Sequence, residues 1–145
     1  MPHALPLAAL LGHGPAALTQ VADAWPKLRP QDLVLVGPRR WESGEAGLLE
    51  RLGVRVMFAD EVARRGFADC MREAVDRVGA DTAGWGVSFD LDGLDPLDAP
   101  GTGVRVPGGL RVGEVSAALH GLARDPRCVA LELVEYNPRL DLGRV

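Results

Sequence analysis

Lysine is nearly absent: of sixteen lysines and arginines, only Lys27 is a lysine. No block of basic residues interrupts a formal net charge of −4, so neither nucleic acid nor an anionic membrane surface is an expected partner. Cysteine is scarce as well. Cys70 and Cys128 stand far apart within apolar patterns and form no C-x-x-C pair, so buried thiols are the expectation. No apolar run is long enough to span a bilayer, and the N-terminus lacks the basic segment of a signal peptide. A cytoplasmic location is therefore expected. Internal repeats and low-complexity segments are missing too, and the surplus of arginine, alanine, glycine and proline reads as compositional bias.

What is present suits one folded unit. The 145 residues are enough for a single domain with a real core, and 47% hydrophobic with 25% charged residues is ordinary for a globular chain. Short continuous apolar runs at 32–37, 54–58, 86–89 and 128–134 read as strands buried on both faces. Between them lie helical segments. Phe67, Cys70, Met71, Ala74, Val75 and Val78 recur at helical spacing over 67–78. Further helices are expected at 4–11, ending at Gly12, at 16–24, from about 45 to 52 with Ser43 as N-cap, and from about 112 to 123. Strands alternating with helices imply an α/β fold with a parallel sheet and right-handed crossovers. Four such strands form a small open sheet, with too little helix to cover its faces and edges, so the chain reads as part of a larger unit.

The chemistry concentrates in 87–109. An apolar strand, Gly86-Val87-Ser88-Phe89, delivers Asp90, Asp92 and Asp95 into a loop rich in proline and glycine. In an extended strand, side chains at i and i+2 leave the same face, so Asp90 and Asp92 are expected side by side. Two anions held that close call for a cation or a shared proton, and carboxylate oxygens suit a hard divalent ion. The competing reading is that acids merely cap and turn the chain where a strand meets Gly and Pro. Asp95, followed by Pro96, fits that structural role.

The run Ser88-Phe89-Asp90-Leu91-Asp92-Gly93-Leu94-Asp95-Pro96, continued by Ala99-Pro100-Gly101-Thr102-Gly103 and Gly108-Gly109, resembles the last signature of the arginase superfamily, or ureohydrolases. These include arginase, agmatinase, formimidoylglutamase and guanidinobutyrase. The resemblance implies a three-layer α/β/α fold with a parallel sheet, present here as a truncated C-terminal half, so that 1–145 form one partial domain. It also implies two manganese ions that activate a water against a guanidinium or amidine carbon. Phe89-Asp90-Leu91-Asp92-Gly93 also resembles the nucleophile motif of haloacid-dehalogenase-type phosphatases. That motif needs a later lysine, whereas Lys27 lies upstream, and no threonine follows Gly93.

Carried onto this chain, the resemblance makes Asp90 and Asp92 metal ligands, with Asp90 the bridging one. Met1-Pro2-His3-Ala4-Leu5-Pro6 is similar to a segment whose histidine moves protons, which assigns His3 that role, although Met1 and Ala4 depart from the family's Asn and Gly. Glu135, ahead of Tyr136-Asn137-Pro138, matches an acid that grips the guanidinium, and a carboxylate can make that bidentate pair. Glu132 matches a second frequent acid. Glu42 matches one that contacts the substrate's α-amino end, with a surface salt bridge to Arg39 or Arg40 as the alternative. His13 and His120 match no ligand. Two earlier metal motifs, of Gly-Gly-Asp-His and Asp-Ala-His-x-Asp type, are expected before the position of His3, so Asp90 and Asp92 are the only ligands retained. Val104 and Arg105 stand where the family has threonine and proline. The expected reaction is arginine to ornithine and urea. The alternatives are an agmatinase- or formimidoylglutamase-type hydrolase, or an incompetent fragment with weak or no metal binding. A small guanidino or amidine substrate, a homo-oligomer and a complementing N-terminal half are the partners implied.

Overall fold

A computed structural model describes residues 5–23, 26–40, 44–141 and 143. The first helix, α1 (Leu5–Leu10), tolerates Pro6 because the N–H of a first-turn residue has no intrahelical acceptor to lose. It ends at Gly12, whose φ of +85° lies in the left-handed region. The next, α2, covers only Ala16–Thr19, shorter than the 16–24 expected. Beyond it Ala22 adopts φ +68°, and the ammonium of Lys27 donates to the carbonyls of Thr19 and Asp23 and to the Asp23 carboxylate, tying off the turn.

Strands β1 (Val34–Val36) and β2 (Arg55–Met57) pair in parallel, Leu35 opposite Val56, with α3 (Glu45–Leu52) as their crossover. Gly44, at φ +86°, immediately precedes α3, and the expected N-cap Ser43 lies outside the described residues. Alternation along the strands serves two cores. Val34, Val36 and Met57 pack with Phe67, Cys70, Met71 and Ala74, whereas Leu35 and Val56 pack with Leu11, Leu49 and Val54. Helices thus cover both faces of this pair.

The helix α5 (Phe67–Val78) occupies the span that the apolar spacing predicts, and it buries Phe67, Cys70, Met71, Ala74 and Val75. Full burial of a large apolar side chain contributes about 1.5–3 kcal/mol, so this stripe fastens α5 to the strands. Just before it lies α4 (Ala59–Arg65), which the sequence reading did not anticipate. Asp60 and Glu61 in its first turn and Arg64 and Arg65 in its last match the helix dipole.

The second parallel pair is β3 (Trp85–Asp90) and β4 (Cys128–Val134), joined through α6 (Val112–Leu122). Here the expectation of four strands in one sheet is corrected. Among the described residues β1 pairs with β2 and β3 with β4, and the two pairs share a core without a common ladder. Nor is β4 buried on both faces. Leu131 and Leu133 sit opposite Val87 and Phe89, yet they remain 48% and 60% exposed, and Val129 is 73% exposed. Apolar composition marks a strand built to be covered, and the described helices do not cover this one.

Candidate metal and substrate site

The site forms at the carboxyl ends of β3 and β4. Along β3, Trp85 and Phe89 are buried while Gly86, Ser88 and Asp90 are exposed, so the pleat drives one face into the core and leaves Asp90 at the strand's outer exit. Asp92 does not continue that face. The strand stops at Asp90, and Leu91–Gly93 form a turn of 3-10 helix. The expected side-by-side placement on an extended strand is therefore corrected: the carboxylate of Asp90 accepts the backbone N–H of Asp92 at 2.8 Å and caps the turn. The two acids still belong to one local unit. Both carboxylate oxygens of Asp92 accept the N–H of Val104 at 3.2 Å, which aims this side chain across the loop.

Asp95 organises the loop. Its carboxylate accepts N–H groups from Leu97, Gly108 and Gly109. Those bonds, with Leu97 contributing most, hold it below the usual carboxylate range. Leu94 bridges Leu110 in parallel, and Gly109 runs so close to the backbone of Leu94 and Asp95 that any Cβ would collide with it. At the loop's far side Asp98 pairs with Arg111 and accepts the N–H of Val112, capping α6.

Glu135 leaves β4 with φ +65°, a left-handed conformation unusual for a residue with a side chain. It is exposed, and among the described residues its carboxylate has no hydrogen bond or ion pair. The following segment is fastened to the Asp90–Asp92 loop. Tyr136 bridges Thr102 in antiparallel fashion, Asn137 N–H donates to Gly101 O at 2.8 Å, and the Tyr136 hydroxyl donates to Asp141 at 2.9 Å. Arg105 donates to the carbonyls of Pro100 and Leu140, so the residue that departs from the expected proline stitches the same two segments. Glu132, opposite Ser88, shares the exposed face.

The structure thus gathers Asp90, Asp92 and Glu135 at one edge. His3 and Glu42 lie outside the described residues. The donor type of Asp90 and Asp92 suits a hard divalent ion, but the donor number does not fill its shell. Among the described residues no group of three His, Cys, Asp or Glu side chains is placed to hold a metal. Sequence reasoning named Arg39 only as an alternative ion-pair partner for Glu42 and missed the contacts it makes. Instead of pairing with an acid, its guanidinium donates to the carbonyls of Asp92, Leu94 and Val106. The Gly37-Pro38-Arg39 turn was the available signal, but acceptors more than fifty residues away leave no trace in local spacing.

Comparison with known proteins follows the same lines. A family model described as the arginase family matches residues 2–144. The chain is 41% identical to the arginase of Brevibacillus brevis over 139 residues, covering 96% of this chain and 47% of that protein. The solved structure of arginase from Bacillus caldovelox is similar at a TM-score of 0.89 and 42% identity, over 94% of this chain and 46% of that one. Formimidoylglutamase from Bacillus subtilis is similar at a TM-score of 0.73 and 28% identity, over 78% and 36% of the respective chains. The chain spans about half the length of the relatives it matches.

Proposed function

This chain belongs to the arginase family, and on that footing we propose that it carries the Asp90–Asp92–Glu135 share of a manganese-dependent ureohydrolase centre acting on arginine. The observation that supports this most is the zipper of Thr102, Tyr136, Gly101 and Asn137, which ties the guanidinium-type acid to the loop bearing two metal-type acids. Asp90 and Asp92 would supply oxygen ligands to manganese. When bound, such a pair of ions lowers the pKa of a water and polarises the carbon under attack. Glu135, exposed and with a carboxylate that has no hydrogen bond or ion pair among the described residues, would pair with the two N–H groups of a guanidinium and orient its carbon toward that loop. His3 would carry protons to the leaving amine, and Glu42 would receive the α-amino end. Arginine cleaved this way gives ornithine and urea.

The short donor set favours a second reading for these 145 residues by themselves: weak manganese binding without turnover. The remaining ligands would come from the half of the family fold that this chain does not include, and that half would also cover β4. Mixing the chain with the amino-terminal half of the Brevibacillus brevis relative and manganese tests both statements. Urea released from arginine by the mixture, but by neither part alone, is the expected result. Turnover of an amidine such as formimidoylglutamate in its place would move the substrate class. No turnover of either, with both halves folded and associated, would overturn the reading.

A further inference from the structure

We propose that Arg39 is a positioning residue for the metal-type loop, holding Asp92 in the orientation a metal ion would meet. The inference rests on the reading of Asp92 as a ligand. Arg39 follows β1, in a loop that belongs to the other strand pair, and its half-buried guanidinium reaches 53 residues along the chain to Asp92 O at 2.5 Å and 67 residues to Val106 O at 2.5 Å. The same nitrogen that meets Asp92 O also approaches Leu94 O at 3.4 Å. Asp92 and Leu94 lie on the outgoing arm of the loop and Val106 on its returning arm. One planar fork therefore clamps both arms to β1.

The consequence for Asp92 is specific. Its N–H is held by the Asp90 carboxylate, its carbonyl by Arg39, and its own carboxylate by the N–H of Val104, which lies two residues from the clamped Val106. Fixing the peptide on either side of a side chain restricts where that side chain can point, and groups that orient a ligand in this way control metal affinity. Lysine would not reproduce this geometry, because a single ammonium on a flexible stem cannot span carbonyls on both arms as a rigid fork does.

The test compares wild type with Arg39→Ala, Arg39→Lys and the exposed neighbour Arg40→Ala, reading backbone amide exchange residue by residue without metal and then manganese binding by electron paramagnetic resonance. In Arg39→Ala the amides of Asp92 and Val104 should exchange about tenfold faster while those of α5 are unchanged, and manganese should bind about tenfold more weakly. Arg39→Lys should fall between wild type and Arg39→Ala, and Arg40→Ala should match wild type. Unchanged exchange at Asp92 and Val104, or faster exchange spread evenly through α5, would overturn the proposal. If Arg39→Ala does not fold, Arg39→Lys alone decides by the same two amides. A wild-type chain that binds no manganese would sink the functional reading while leaving the exchange measurement to judge Arg39.

Discussion

Glu135 spends conformational energy at the place where the proposed substrate contact is made. A left-handed backbone on a residue with a Cβ costs about 1–2 kcal/mol, and glycine removes that strain at an entropic cost of about 0.5–1 kcal/mol. Glu135→Gly should therefore raise the urea midpoint slightly, by the equivalent of about 0.5–1 kcal/mol, while Glu135→Ala, which keeps the strain, should not. In the complemented enzyme both changes should abolish urea release. Equal stability of the two variants would remove the strain from the explanation. The sequence showed Glu135 as an acid at a strand end, because an apolar run followed by Asn-Pro is a local pattern. It did not show the positive φ, which the antiparallel bridge from Tyr136 to Thr102 helps impose across more than thirty residues. Asp92 carries the same lesson. Period-2 spacing placed it on the strand, but the Asp90 carboxylate competes for the Asp92 N–H and bends the chain into a 3-10 turn.

Among the elements, α5 was legible because five buried side chains repeat on one helical face, whereas α4 buries only Val62 and offers no stripe to find. Ion pairs fix α4 in place. Arg55 on β2 bonds Glu61 on α4 and Glu73 on α5, and Arg65 meets both acids again. Arg55, and after it Arg65, pull the Glu61 carboxyl down to about 2. A carboxylate depressed by folding contributes stability that is fully present above its unfolded value, near 4.5, and is lost as pH falls toward 2. Glu61→Gln should thus flatten the acid limb of stability against pH between about 4.5 and 2, read as urea midpoints across that range. A slope equal to wild type there would mean that the pair contributes nothing to acid stability. The pair is exposed enough for salt to screen it, so high ionic strength should flatten the same limb in wild type.

At the scale of the molecule, helices on both faces of β1–β2 contrast with the open side of β3–β4. The sequence conveyed the parallel α/β class through alternating strands and helices, but apolar content alone could not distinguish a strand already covered from one awaiting cover. Val129, Leu131 and Leu133 form an exposed apolar strand at an edge, the arrangement that invites association between chains. The isolated chain should self-associate with rising concentration in sedimentation velocity, and Leu133→Lys should suppress this without unfolding α5. Sedimentation independent of concentration in wild type would show that the strand is tolerated in water. No helix among the described residues is long and apolar enough to cross a membrane.

Manganese titration of the purified chain, followed by electron paramagnetic resonance alongside Asp90→Ala and Asp92→Ala, reaches the proposed chemistry most directly. Weak binding that either substitution reduces at least about tenfold is the expected result, since each removes one oxygen ligand from a set already short of donors. Binding of equal strength in wild type and both variants would place any manganese elsewhere and contradict the assignment of Asp90 and Asp92 as ligands.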